Sequence, residues 1–287
     1  MSKKLSLAAA LLFAACTTTV TPVTPTPASA PAATAAAEQP CRLPDATINA
    51  TLWMQTSAEY QAIAREVYGT ATRTLDEAIA DKTWTAAAEQ TTVDPSLPPA
   101  IILDLDETVI DTSGHQTQLI REGGAFTEDH WHNWAMHDAS NVIEPARDFL
   151  LTAQKRGVAI YYVTNRVASE EPALRATLTR IGVPLTSDNL LTRGQRDEWK
   201  SSDKSPRRAF VASTHRVIML VGDDLNDFAP AAGKSMADRD AIVRAHGSDW
   251  GRKWFALPNP VYGSWERAVL GDAKGCDQWK RKIDTLR

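Results

Sequence analysis

Apolar and polar positions fall into blocks after residue 99, and the blocks predict the architecture. Ala100-Ile-Ile-Leu103 has the length of a buried strand, and polar residues begin where such a strand would emerge. Residues 158–163 form a second apolar, β-rich run that closes on Thr164-Asn165-Arg166. Residues 216–221 form a third, closing on Gly222-Asp-Asp-Leu-Asn-Asp-Phe228. Shorter segments at 189–192 and 253–257 read as further strands, the last at an edge. Helices are predicted between them: 145–155, closed by Gly157; 169–181, capped by Ser169 with Pro172 in its first turn; and 204–213. Strands separated by helices imply an α/β, Rossmann-like parallel sheet with helices on both faces. Upstream, Trp53, Tyr60, Ile63, Ala64 and Val67 recur at helical spacing within 47–80, with Gly69 expected to break the stretch before a second segment at 72–80. This N-terminal helical segment and a polar, aromatic-rich insertion near 113–141 are expected to add a smaller, mainly helical subdomain.

Composition narrows the partners. The 287 residues are 43% hydrophobic and 23% charged, close to ordinary globular values, so a packed core is expected. A net charge of −4 and the lack of a Lys/Arg-rich run argue against binding a nucleic-acid polymer. Lys3 and Lys4 precede an apolar segment, 5–15, that is too short for a stable bilayer anchor. It ends Leu12-Phe13-Ala14-Ala15-Cys16, which resembles a bacterial lipoprotein signal, with residues 1–15 cleaved and Cys16 lipidated. Residues 16–40, mostly Thr, Ala, Pro and Ser, read as a disordered tether holding 41–287 off a membrane. The expected location is the bacterial cell envelope, as an outer-membrane lipoprotein facing the periplasm or the outside. Cys41 and Cys276 then remain, and an oxidising compartment permits them to pair.

A parallel sheet brings the polar endings of its strands to one edge, where ligands sit in such folds. Alternation along an extended chain puts Asp104 and Asp106 on one side and turns Leu105 back into the core. Two carboxylates held close repel, so they call for a cation, a shared proton, or both. Asp223 and Asp227 bracket a turn that lets two more carboxylates face one cation, and with Asp104 they make a hard oxygen site suited to Mg²⁺. Lys204 is the best candidate for a positive charge to balance these crowded carboxylates, with Lys200 second. His130, His132 and His137 offer a transition-metal alternative, though their crowding with Trp131 and Trp134 reads better as a pocket wall.

Four segments, in order, carry a resemblance: Asp104-Leu-Asp-Glu-Thr, Tyr162-Val-Thr-Asn-Arg166, Asp203-Lys-Ser and Val221-Gly-Asp-Asp-Leu-Asn-Asp-Phe228. They resemble the motifs of the class C acid phosphatases and 5′-nucleotidases, the lipoprotein e family of the haloacid dehalogenase-like superfamily. Trp53-Met-Gln-Thr-Ser-Ala-Glu-Tyr60 and Leu257-Pro-Asn-Pro-Val-Tyr-Gly-Ser-Trp-Glu266 are similar to that family's N-terminal helix and C-terminal signature. The resemblance implies a phosphomonoesterase in which Asp104 attacks phosphorus and Asp106 carries the leaving group's proton. It implies Mg²⁺ bound by Asp104, Asp223 and the backbone carbonyl of Asp106, with Asp227 orienting nearby groups. Thr164 and Lys204 would hold the phosphoryl oxygens, and Asn165, Arg166, Trp131, Trp134 and Tyr262 would line the substrate site. The chain departs from the family at Thr112-Ser113-Gly114-His115, which lacks an aromatic, and at Asp224, where asparagine is usual. The first departure puts a nucleotide preference in question. A reading of a different class is a surface-tethered binding module, for haem or another ligand, on the same scaffold. Motifs for P-loop ATPases, serine esterases and zinc proteases are absent from the sequence.

Overall fold

The computed structural model describes residues 47–287. In chain order its strands are β1 (Pro99–Leu103), β2 (Ile110–Asp111), β3 (Asn141–Val142), β4 (Ala159–Val167), β5 (Leu190–Arg193), β6 (Arg216–Gly222) and β7 (Trp254–Ala256). Its helices are α1 (Ile48–Thr56), α2 (Ala58–Ala80), α3 (Ser113–Glu122), α4 (Glu128–Ala135), α5 (Glu144–Lys155), α6 (Glu171–Arg180), α7 (Ser205–Ala212), α8 (Met236–Ala245), α9 (Ser264–Leu270) and α10 (Cys276–Thr285). Five strands form one sheet in the order β5-β4-β1-β6-β7, every pairing parallel. β2 and β3 pair separately as an antiparallel ribbon.

Strand alternation sorts the core into two layers. Ile101 and Leu103 of β1 share one apolar cluster with Tyr162, Met219 and Val221, packed under α2, α5 and α6. Ala100 and Ile102 face the other way, into a cluster with Val163, Leu220, Trp199, Val211 and Trp254 beneath α7. Both faces of the sheet are therefore covered, as a parallel sheet requires. Leu105 is buried in the first cluster, turned back into the core as alternation demands.

The break in the N-terminal helical stretch lies at Ser57, not at Gly69. Ser57 is extended (ψ 137°) and its hydroxyl accepts a hydrogen bond from the Tyr60 N–H, which starts α2 afresh. Gly69 stays inside α2 because Ala64, Tyr68, Ala71, Leu75 and Ala78 form an unbroken buried stripe across it. That packing outweighs the roughly 1 kcal/mol a mid-helix glycine costs. The far end of α2 is fixed to the start of β6 by Arg216, whose buried guanidinium donates to the carbonyls of Ala78, Ile79, Asp81 and Trp84. The insertion is largely helical, built from α3 and α4, with α3 packed against α1. The signal, the tether, Cys16 and Cys41 lie outside the described residues.

Candidate active site

β1 ends one peptide before Asp104, whose N–H still donates to the Val221 carbonyl (3.0 Å) and so fixes it beside the end of β6. The chain then turns tightly around one acceptor: the N–H groups of Thr108, Val109 and Ile110 all converge on the Leu105 carbonyl at 2.8–3.1 Å. Glu107 pays for the turn with a left-handed backbone (φ 54°), uncommon outside glycine. Its carboxylate is buried, accepting from the Thr112 N–H (3.0 Å) and hydroxyl (2.6 Å) and from the Tyr262 hydroxyl. Burial, followed by the nearby Asp106 charge, raises its pKa well above the usual range.

Asp104, Asp223 and Asp227 meet at this edge, with one oxygen from each lying within 4.8 Å of the others. Lys204 stands among them. Its Nζ is 2.6 Å from Asp104 Oδ1 and 2.6 Å from Asp227 Oδ1, with the side chain almost fully buried. Asp227 Oδ2 accepts the Asp224 N–H (2.9 Å), so both its oxygens are engaged. Gly222 is required here: a Cβ on it would lie 2.2 Å from Asp227 Oδ2. Asp223 accepts from Thr108 Oγ1 (3.2 Å) and Asn259 Nδ2 (2.9 Å). Desolvation, then the charges of Asp104 and Asp227, pushes Asp223 well above the ordinary carboxylate range, and desolvation lifts Asp227 to about 7 against the pull of Lys204. With all three carboxylates ionised, one ammonium leaves two negative charges for a bound cation to offset, and the donors are all hard oxygens. This donor set fits a divalent hard cation. The Asp106 carboxylate is not part of the cluster.

Asp106 faces Arg166 instead. Arg166 Nε donates to both Asp106 oxygens (3.0 and 3.2 Å) and Nη2 to Oδ1 (2.7 Å), while Nη2 also reaches Asp138 Oδ2 (2.9 Å). Trp131 and Trp134 lie against the same guanidinium, at 5.1 and 5.9 Å. Burial raises the Asp106 pKa, with Arg166 opposing. Arg166, expected at the substrate, thus has Nε and Nη2 turned to protein carboxylates, while its buried Nη1 has no protein partner. Thr164 is buried, its hydroxyl accepting the Arg166 N–H (3.1 Å), and Asn165 Nδ2 donates to the Ser202 carbonyl (3.1 Å).

The remaining expected residues lie around this edge. Tyr262 is half-buried and packs against the Met54–Tyr60–Val261 cluster. Trp134 lines a cavity of about 420 Å³ with Gln55, Asp111, Ser113 and His137. His115 is fully buried and ringed by Phe126, Trp131 and Trp134 at 5.0–6.1 Å, its Nε2 hydrogen-bonded to His130 Nδ1 (3.0 Å). The departure at 112–115 therefore keeps a flat ring among the insertion's aromatics. His130, His132 and His137 point apart, to Glu122, Glu170 and the Asn133 carbonyl, and form no metal group among the described residues. The second departure has a partner: Asp224 accepts the Ser264 N–H and hydroxyl (2.6 Å each) and the Asn226 N–H (2.9 Å). An asparagine amide nitrogen could not accept from the Ser264 N–H.

Sequence reasoning missed Glu107, Asp138, Arg207, Arg208 and Asn259. Arg207 donates to the Thr164 carbonyl and to Asn165 Oδ1 (2.6 Å), and Arg208 to the carbonyls of Asn226 (2.7 Å) and Asp227 (3.2 Å). A signal was present, since both lie one turn after Lys204 on the side of α7 that leads to Val211.

A Rossmann-like sheet whose leading edge gathers an aspartate cluster, a lysine and a threonine from successive strand ends defines a hydrolase site of the haloacid dehalogenase class. A family model described as "HAD superfamily, subfamily IIIB (Acid phosphatase)" matches residues 18–265, and the chain belongs to that family. The class C acid phosphatase from Bacillus anthracis is 32% identical, with a TM-score of 0.73, covering 85% of this chain and 97% of its own. The same enzyme with tungstate bound gives 32% identity and a TM-score of 0.75, covering 86% of this chain and 98% of its own. The chain is a phosphomonoester hydrolase.

Proposed function

We propose that this hydrolase is an Mg²⁺-dependent acid phosphatase that cleaves small phosphomonoesters, nucleoside 5′-monophosphates among them, through an aspartyl-phosphate on Asp104. The observation that carries the reading is Lys204 Nζ held 2.6 Å from both Asp104 and Asp227, beside Asp223. Lys204 engages Asp104 Oδ1, so Oδ2 is the oxygen that attacks phosphorus in line. Asp106, whose burial favours the protonated form, gives its proton to the leaving oxygen and later takes one from the attacking water. The Thr164 hydroxyl and Lys204 bind the oxygens that are not transferred. Asp104, Asp223 and the Asp106 backbone carbonyl would hold Mg²⁺, which when bound offsets phosphoryl charge. Asp227 positions Lys204. Nucleotide use is supported by the Trp134 wall of the 420 Å³ cavity and by half-buried Tyr262. Export, lipidation at Cys16, an outer-membrane location and a Cys41–Cys276 disulfide rest on the sequence pattern; Cys276 itself is exposed at the start of α10.

The test is p-nitrophenyl phosphate hydrolysis with Mg²⁺ and with EDTA, for the native chain and Asp104→Asn. Activity is expected only for the native chain with metal. Substantial turnover by Asp104→Asn, or turnover unchanged by EDTA, would refute the mechanism.

A further inference from the structure

We propose that Arg166 and Asp138 are positioning residues for Asp106, and that through them the helical insertion sets how this carboxylate faces the leaving group. The inference rests on the acid/base reading of Asp106 given above. Arg166 lies on β4 and Asp138 in the segment between α4 and β3, so the contact joins the sheet edge to the insertion. The geometry is asymmetric. Two short bonds, from Nη2 (2.7 Å) and Nε (3.0 Å), fall on Asp106 Oδ1, and one longer contact (3.2 Å) falls on Oδ2. Oδ1 is thereby pinned, and Oδ2, with its single longer contact, is the less firmly held oxygen and the one left to face the leaving group.

The pin is itself held. The Asp138 side chain is fully buried and spends both oxygens, Oδ2 on Arg166 Nη2 (2.9 Å) and Oδ1 on the Ser140 N–H (2.7 Å). Its carbonyl accepts the Thr177 hydroxyl of α6 (2.9 Å), which anchors the loop from below. Trp131 and Trp134 of α4 close over the guanidinium. A planar fork gripped on its edge by two carboxylates and on its face by indoles has little freedom to turn, which a lysine ammonium in the same place would retain.

A buried ion network that only fastened the insertion to the sheet would show the same contacts, so the leaving group must decide. An alkoxide departs poorly without a proton, whereas p-nitrophenolate departs with little help. Misplacing Asp106 therefore slows alkyl esters more than aryl esters, while loss of folded enzyme slows both equally.

The experiment measures kcat and KM for glycerol phosphate and p-nitrophenyl phosphate in Arg166→Lys, Asp138→Asn and Asp106→Asn, per folded molecule as judged by circular dichroism. Arg166→Lys and Asp138→Asn are expected to lower kcat on glycerol phosphate roughly ten-fold or more beyond their effect on p-nitrophenyl phosphate, with KM little changed. Asp106→Asn should show the same bias more strongly. Equal losses of kcat on both substrates in Asp138→Asn, which keeps size and shape, would overturn the proposal, and so would an effect confined to KM. An Asp106→Asn variant without the bias would instead refute the acid/base reading itself. If Arg166→Lys does not fold, Asp138→Asn decides alone.

Discussion

Divalent-metal binding at this edge is predicted to release protons, because the buried carboxyls that meet the cation hold protons more tightly without it. Asp223 is pushed well above the ordinary range by desolvation and by the charges of Asp104 and Asp227, and Asp227 is lifted to about 7. A carboxyl with a raised folded pKa holds its proton more tightly in the folded chain. Its stabilising effect is complete below the unfolded value of 3.8 and is lost as pH rises through the folded value. Asp227 alone makes the metal-free chain lose on the order of 4 kcal/mol across that window, at about 1.4 kcal/mol per pH unit. His115 works in the opposite direction: burial holds its imidazole down to about 4, so it adds stability as pH rises towards its ordinary 6.5. The two oppose each other below 6.5, but His115 drops out of the difference between metal-free and metal-loaded protein. A cation and a proton compete for Asp223, and negative charge around Asp227 is relieved when the cation binds. Asp227, lifted to about 7, still holds its proton for the most part at pH 6, so protons should leave as Mg²⁺ binds there and the apparent affinity should tighten as pH rises. Titration calorimetry at pH 6 in two buffers of different ionisation enthalpy counts the protons, and Asp227→Asn should release fewer. Denaturant unfolding in EDTA and in Mg²⁺ from pH 5 to 8 should show metal stabilisation growing with pH. Mg²⁺ binding with no proton release at pH 6, or a stabilisation flat with pH, would refute the reasoning.

Gly222→Ala places a Cβ 2.2 Å from Asp227 Oδ2 and should push this carboxylate off Lys204, lowering kcat about ten-fold or more; native kcat would mean Asp227 is not needed where it stands. Arg207→Met strips donors from the Thr164 carbonyl and Asn165, so urea unfolding should show a loss of roughly 2–4 kcal/mol, and product inhibition by phosphate should weaken. Tyr262→Phe, which removes only the hydroxyl bonded to Glu107, should keep the KM for a nucleoside monophosphate near native. Tyr262→Ala should raise that KM by an amount worth roughly 1–3 kcal/mol and spare p-nitrophenyl phosphate; equal rises would leave Tyr262 as packing. Thiol titration of the denatured, unreduced soluble domain should find Cys41 and Cys276 unreactive, the bond between them contributing roughly 2–4 kcal/mol; two free thiols would end that idea.

The sheet was legible because its strands are short apolar runs that stop abruptly at polar residues, and buried parallel strands leave that mark. β1 shows the logic at one-residue resolution: the period of two that sends Ile101 and Leu103 to one layer also sends Leu105 inward. The acidic cluster was legible because Asp104, Asp223 and Asp227 each lie just beyond such a run. What escaped notice has no local signature. Asp138 matters only because Arg166, 28 residues away, turns towards it, and Asn259 because it meets Asp223 from 36 residues away. Arg207 and Arg208 were passed over because arginine on a helix is ordinarily a surface residue, whereas both are fully buried here. α8, α9 and α10 bury no residue, so they lack the buried stripe that marks α2 and α5.

Those two arginines change how the site is held together. Lys204, Arg207 and Arg208 leave the first turn of α7 towards three different loops: Lys204 to Asp104 and Asp227, Arg207 to Thr164 and Asn165, and Arg208 to Asn226 and Asp227. The helix start also presents its positive dipole end to the acidic edge. The ends of β1, β4 and β6 are thus joined at the site by charge rather than by apolar contact. An intact network of buried charges adds little net stability, since removing them from water offsets most of their attraction; the cost of losing one, as in Arg207→Met, comes from the partners it leaves unpaired. The two apolar layers on either face of the sheet carry that load, with Trp199 and Val211 packing near α7 itself. Stability and chemistry are therefore drawn from different residues of the same elements. A substitution among the layered side chains should lower stability before it alters turnover, while one among the three cations should disturb several catalytic loops at once.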